Sequence, residues 1–255
     1  TALWIAAEGF PGVSLFLIFC FGTATMRSAG CCFNDFTDHR IDGKVLRTKQ
    51  RPIPSGSLKR LDAFICFGIL SVIGLLLVLL TNYETILLSI GAVAVICIYP
   101  FMKRYTNLPQ LVLGVAFSWG ILMAFTAVSY EVPQAAYLLF VANVLWTIAY
   151  DTQYAMVDRE FDIKIGVKST AILFGDADKL MVGLMQTMFI IALWLAANKF
   201  ALGPVFYLSL VGASLLLIFQ QYLIRHRIPE CCFKAFLNNN WVGAVLFLGV
   251  VLNYL

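Results

Sequence analysis

Charge is what this chain has least of. Only 13% of its 255 residues are Asp, Glu, Lys or Arg, about half the share found in soluble domains. Hydrophobic residues make up 61% and the mean hydropathy is +0.86, which excludes a water-exposed globular domain and, with it, the basic face of a nucleic-acid binder. Histidine is almost absent, at two residues, His39 and His226. Neither has cysteines at zinc-finger spacing. The seven cysteines are Cys20, Cys31, Cys32, Cys66, Cys97, Cys231 and Cys232. They read as small apolar packing residues, since vicinal pairs such as Cys31-Cys32 rarely close into disulfides. A low-complexity segment is absent, as is any stretch polar enough to form a soluble domain.

What is present is a series of long apolar runs. A membrane span needs about 20 mostly apolar residues. Runs of that kind lie at 13–33, 61–80, 84–101, 109–128, 135–156, 179–198, 203–224 and 236–255. The stub Ala2-Leu3-Trp4-Ile5-Ala6-Ala7 is too short for a signal peptide and lacks a basic n-region; it is expected to be the tail of a further helix. The expectation is an all-α polytopic membrane protein, a single transmembrane domain over 1–255. It has eight spans here, nine in the intact protein, and two pseudo-repeated halves of about 1–128 and 129–255.

The few charges are sorted by side. Arg40, Lys44, Arg47, Lys49, Arg51, Lys59, Arg60, Lys103, Arg104, Arg159, Lys164, Lys168, Lys179, Arg225, Arg227 and Lys234 fall in alternate loops, leaving Lys199 in the others and Arg27 inside a span. The positive-inside rule puts that first set in the cytoplasm.

Two acidic motifs share the same side: Asn34-Asp35-Phe36-Thr37-Asp38-His39-Arg40-Ile41-Asp42, and Asp151-Thr152-Gln153-Tyr154-Ala155-Met156-Val157-Asp158-Arg159-Glu160-Phe161-Asp162. On a helix, Asn34, Asp38 and Asp42 step by about 40° into one stripe, and Asp158 and Asp162 fall within about 20° of Asp151. Like charges four residues apart repel. Beside a low-dielectric core they require a compensating cation. Mg²⁺ suits carboxylate oxygens and keeps positions for phosphate and water. Such acids can instead end helices or pair with Arg40 and Arg159, but two motifs of this form on one side favour a metal–diphosphate site.

Cations follow each motif. Lys44, Arg47, Lys49 and Arg51 come after the first, Lys164 and Lys168 after the second, and Lys103 and Arg104 after Tyr99-Pro100-Phe101-Met102. They are candidates for phosphate oxygens, although positive-inside topology alone also demands cations there. Arg51 and Arg104 stand out because proline punctuates their segments. Arg27, seven residues before Asn34, projects from the same helix face; it reads equally as half of a structural ion pair or as part of a polar cavity. Tyr154 is expected to face the acidic stripe, where an aromatic face steadies an allylic cation.

These strings, with Arg51-Pro52-Ile53-Pro54-Ser55-Gly56 between them, resemble the UbiA superfamily of intramembrane aromatic prenyltransferases over essentially the whole length. Tyr99-Pro100-Phe101-Met102-Lys103-Arg104-Tyr105 and Lys168-Ser169-Thr170-Ala171-Ile172-Leu173-Phe174-Gly175 are most similar to its bacterial branch acting on 4-hydroxybenzoate. The resemblance implies nine helices around a central cavity open to lipid, in the bacterial inner membrane with the site facing the cytoplasm. It implies Mg²⁺, a polyprenyl diphosphate donor, 4-hydroxybenzoate as acceptor and a place in ubiquinone biosynthesis, with the bilayer as the only surrounding partner. It implies Asn34, Asp38, Asp42, Asp158 and Asp162 as the metal–diphosphate set, with Asp35 and Asp151 at further motif positions and Arg104 near the reacting centre. Dihydroxynaphthoate, haem or chlorophyll precursors are the sibling acceptors. A transporter is a remote alternative, since transport sites lie near mid-membrane at broken helices.

Overall fold

The computed structural model describes residues 1–43 and 50–255, with residues 40–42 described in their backbone alone. Lys44 and Arg47 therefore lie outside the described residues, as does the side chain of Asp42. Among the described residues the ordered elements are helices, with no strand. They are α1 (Ala2–Ala6), α2 (Val13–Asp42), α3 (Arg60–Val78), α4 (Tyr83–Tyr105), α5 (Pro109–Ser129), α6 (Ala136–Ile165), α7 (Thr170–Phe174), α8 (Asp178–Lys199), α9 (Pro204–Ile224) and α10 (Pro229–Asn253).

Local chemistry sets the helix ends. Pro109, Pro204 and Pro229 open α5, α9 and α10, where the missing N–H is no loss and φ is already helical. The Asn82 side chain caps α4 by accepting from Thr85 N at 3.0 Å. Gly166 ends α6 in the left-handed region at φ 73, a conformation that glycine adopts without a Cβ clash.

Seven described helices are long and apolar enough to cross a membrane. The eighth expected span, α6, has 30 residues but is not among the seven, because Asn143, Asp151, Gln153 and Asp158 dilute it. The helices bearing the motifs are longer than the apolar runs alone foretold. α2 continues to Asp42 and α6 to Ile165, since neither acidic motif contains a glycine or proline to stop them.

Packing is uneven between the two parts of the chain. Phe125 of α5, Leu139 of α6, Phe189 and Leu193 of α8, Phe206 and Leu210 of α9, and Val242 and Leu246 of α10 form one buried core, to which Ile5 of α1 belongs. By contrast, α3 carries Leu61, Phe64, Ile69, Val72, Leu75 and Leu76 on an exposed face, the pattern of a helix facing lipid. Glycine permits one close helix approach behind the site. A Cβ on Gly114 of α5 would lie 3.1 Å from the Val144 carbonyl oxygen of α6. The Ser118 hydroxyl, donating to Gly114 O at 2.6 Å and accepting from the Asn143 amide at 3.0 Å, ties the same pair.

Candidate active site

Successive helices run antiparallel, so the end of α2, the start of α3, the end of α4, the start of α5 and the end of α6 meet at one end of the bundle. Both acidic motifs are there. They share a cavity of about 170 Å³ lined by Asn34, Asp38, Arg51, Tyr99, Lys103, Gln110, Asp151, Tyr154, Asp158, Asp162, Lys168 and Ser169. Nine residues singled out from sequence thus face one space: Asn34, Asp38, Arg51, Lys103, Asp151, Tyr154, Asp158, Asp162 and Lys168.

Asp38 is the most deeply placed, 2% exposed. The Lys103 ammonium of α4 donates to it, and the Arg104 guanidinium lies 3.8 Å away. Arg104 also donates to the Thr37 carbonyl at 2.8 Å. It therefore braces the first motif from outside the cavity lining. Pro100 removes one backbone donor from α4 just before these two cations, which frees that turn to follow the site instead of an unbroken ladder. Arg51 pairs with Asp35 at 2.9 Å, so a loop cation and the first motif hold each other in place.

The far wall is the segment after α6. Lys168 N donates to the Lys103 carbonyl at 3.1 Å, and the Lys168 ammonium reaches the Tyr105 carbonyl at 3.2 Å. Thr170 N donates to the Gln110 side-chain oxygen at 3.1 Å, while the Thr170 and Thr152 hydroxyls lie 2.6 Å apart. Ser169 caps α7 by accepting from Ile172 N at 3.4 Å. Four elements are stitched together in this way. Gln110, Tyr99 and Ser169 enter the site without having been singled out from sequence; Gln110 stands alone in an apolar run, and only its partner across the fold reveals it.

Arg27 and Lys164 are not among the lining residues, and Tyr154 reaches beyond the cavity to a neighbouring helix. Arg27 lies over the Phe117 ring at 5.3 Å. Lys164 is exposed and lies 5.7 Å from the Phe161 ring. Tyr154 packs its ring against Phe236 of α10 at 4.9 Å, so the second motif is backed by an aromatic wall that includes Phe233 and Tyr150.

Among the described residues, no three His, Cys, Asp or Glu side chains converge as a metal cage. The donor chemistry nevertheless fits a hard divalent ion: the lining offers carboxylate and amide oxygens and neither thiol nor imidazole. Mg²⁺ is held through one or two carboxylates together with substrate phosphates, not in an all-protein cage. Charge leads the same way. Asp38, Asp151, Asp158 and Asp162 outnumber Arg51, Lys103 and Lys168 in the lining, so a diphosphate needs an accompanying cation to enter.

The model of the UbiA prenyltransferase family matches residues 1–248. The chain belongs to that family. The 4-hydroxybenzoate octaprenyltransferase of Pseudomonas aeruginosa is 54% identical to it over 253 residues, covering 99% of this chain and 86% of the relative. The protein of the same name from Chromohalobacter salexigens is 52% identical over 252 residues, covering 99% and 85%. Among solved structures, an apo UbiA homologue from Aeropyrum pernix superposes with a TM-score of 0.89 at 22% identity, over 100% of this chain and 94% of the other. A UbiA homologue from Archaeoglobus fulgidus bound to GPP and Mg²⁺ gives 0.66 at 16% identity, over 98% and 94%. The chain is a UbiA-family prenyltransferase of the membrane.

Proposed function

We propose that the protein transfers a polyprenyl group from polyprenyl diphosphate to the ring carbon ortho to the hydroxyl of 4-hydroxybenzoate, releasing diphosphate, as a step of ubiquinone biosynthesis. The observation that carries this reading is the shared cavity: both acidic motifs and the cations Arg51, Lys103 and Lys168 face one space at one end of a lipid-facing bundle. Relatives more than half identical to it bear the name of that activity.

In this reading Asn34, Asp38, Asp42, Asp158 and Asp162, with Asp35 and Asp151 beside them, hold Mg²⁺. Bound there, Mg²⁺ neutralises diphosphate oxygens and eases their departure. Arg51, Lys103 and Lys168 grip the diphosphate, joined by Lys44 and Arg47, which follow the first motif in sequence, while Lys164 of α6 lies away from it. Arg104 keeps Asp38 in position. The donor C1–O bond loosens and its electron pair leaves on the diphosphate, where these cations stabilise it. The electron-rich ring carbon attacks the allylic C1 without a protein nucleophile. The new C–C bond forms, and the ring proton passes to diphosphate or a motif carboxylate. Tyr154 presents its ring to the allylic charge, and Arg27 adds a substrate-binding cation from inside the bundle. The residues' other task is to exclude water, which would quench the cation. The site opens to the cytoplasm of a bacterial inner membrane, while the donor tail stays in lipid.

Acceptor profiling tests the assignment. Membranes given a long polyprenyl diphosphate and Mg²⁺ are expected to prenylate 4-hydroxybenzoate and to leave dihydroxynaphthoate, haem and a chlorophyll precursor unchanged. Preference for any of those three moves the protein to a sibling reaction. An intact donor with every acceptor contradicts prenyl transfer altogether.

A further inference from the structure

The second motif contains one cation, Arg159, between Asp158 and Glu160 and three residues before Asp162. Side chains three apart on a helix are neighbours, so Asp162 of its own motif lies within reach of Arg159. Its guanidinium instead donates to Asp178 at 3.4 Å. Asp178, the first residue of α8, is fully buried. It already has a closer partner: Arg227, in the turn before α10, donates from Nε at 2.9 and 3.1 Å and from Nη2 at 2.8 Å. Arg227 adopts φ 54, unusual for a residue with a Cβ, and the strain persists because the surroundings fix it. Its Nη2 is also anchored on the Asp176 carbonyl at 2.8 Å. The Asp178 carboxylate holds the Arg227 guanidinium above its ordinary pKa. One arginine would satisfy the carboxylate; the second comes from the motif.

We propose that Asp178 is a positioning residue for the reaction: it draws the Arg159 charge out of the second acidic motif, so that the motif presents carboxylate to the cavity and accepts the divalent cation with its diphosphate. This rests on the Mg²⁺-dependent reading above. Arg227 shares the Asp178 carboxylate from outside the motif and ties down its own turn, and Arg159 is the cargo. Released, Arg159 would turn to its i+3 neighbour Asp162 and compete with the metal.

The test is the thermal upshift of the detergent-purified full chain with Mg²⁺ and inorganic diphosphate, run beside Mg²⁺ titration of prenyl transfer. Asp178→Asn is expected to raise the Mg²⁺ concentration for half the upshift on the order of tenfold, the scale of one like-charge contact near a protein surface. Asp178→Asn with Arg159→Gln should return it to the wild-type value, a rescue that a merely structural role would not give. Arg227→Gln should lower Tm with the Mg²⁺ response unmoved. An unshifted Asp178→Asn, a double variant that fails to recover, or an Arg227→Gln as Mg²⁺-deficient as Asp178→Asn overturns the proposal. If Asp178→Asn does not accumulate, Arg159→Gln alone decides: an unchanged response supports a side chain already held off the motif, and a tenfold rise overturns it. A wild type indifferent to Mg²⁺ and diphosphate overturns the underlying reading as well; a responsive wild type with an equally responsive Asp178→Asn overturns this inference alone.

Discussion

Asp38 concentrates the residue-scale chemistry, because it is nearly inaccessible and still takes Lys103 and Arg104. Removing it strips the first motif of its deepest oxygen and leaves Lys103 facing a gap. Asp38→Ala and Asp158→Ala are each expected to lower kcat by about 10²-fold or more, the scale of losing one electrostatic contact to a developing charge. The check is turnover in membranes with Mg²⁺ as the only divalent ion, beside a Tm showing that the variant folds; near-normal turnover removes the residue from the metal set. Arg104→Ala differs in kind. Since Arg104 braces Thr37 and Asp38 from outside the cavity, it should cost about 10- to 100-fold in kcat, typical of an outer-shell partner, and hardly change the KM for donor. A raised donor KM with normal kcat would place Arg104 on the diphosphate instead.

At the scale of elements, α6 is the helix that matters. Opposite its acidic face runs a chain of buried amides. Trp146 donates to Asn239 at 2.8 Å, Asn239 to Gln153 at 3.1 Å, and Gln153 to Gln220 at 3.0 Å. Gln186 donates to the same Gln220 oxygen at 2.9 Å, and Gln220 donates to Asn238 at 3.0 Å. This network fixes the rotation of α6 against α8, α9 and α10. Gln220→Leu strands several of these partners, each costing about 1–3 kcal/mol when left unmatched in a core. The expected outcome is a lower Tm with kcat falling less than in the motif variants; an unchanged Tm would mean that apolar packing alone sets α6. Gly114→Ala pushes α5 from α6 at Val144 and should likewise reduce Tm. None of this was legible in the sequence. Gln153 lies inside the second motif, Gln220 in a Gln-Gln pair and Asn239 in a run of three asparagines, but neither these patterns nor the lone Gln186 names a partner, since long-range partnership has no local signal. The apolar runs themselves located the long helices, because hydropathy reads length and composition directly. They missed the extension of α2 and α6 past the apolar stretch, where the helix persists because no glycine or proline interrupts the motifs.

For the whole molecule, the legible part was the sidedness. Loop charges placed both acidic motifs at one end, and the structure brings them onto one cavity. Less legible was which cations reach it. Lys103, Arg51 and Lys168 do, whereas Arg104 and Lys164 turn elsewhere, a choice made by packing rather than by spacing. The uneven burial, with a dense core over α5 to α10 and a lipid-facing α3, suits the proposed reaction, in which a long apolar tail enters and water stays out. The most direct measurement follows from that combination. Membranes containing the protein receive a long polyprenyl diphosphate and 4-hydroxybenzoate, with Mg²⁺ or with EDTA, and mass spectrometry follows the aromatic product. Prenylated 4-hydroxybenzoate that forms with Mg²⁺ and disappears with EDTA is the expected result. Product that persists undiminished in EDTA would contradict a metal–diphosphate site built from the two acidic motifs.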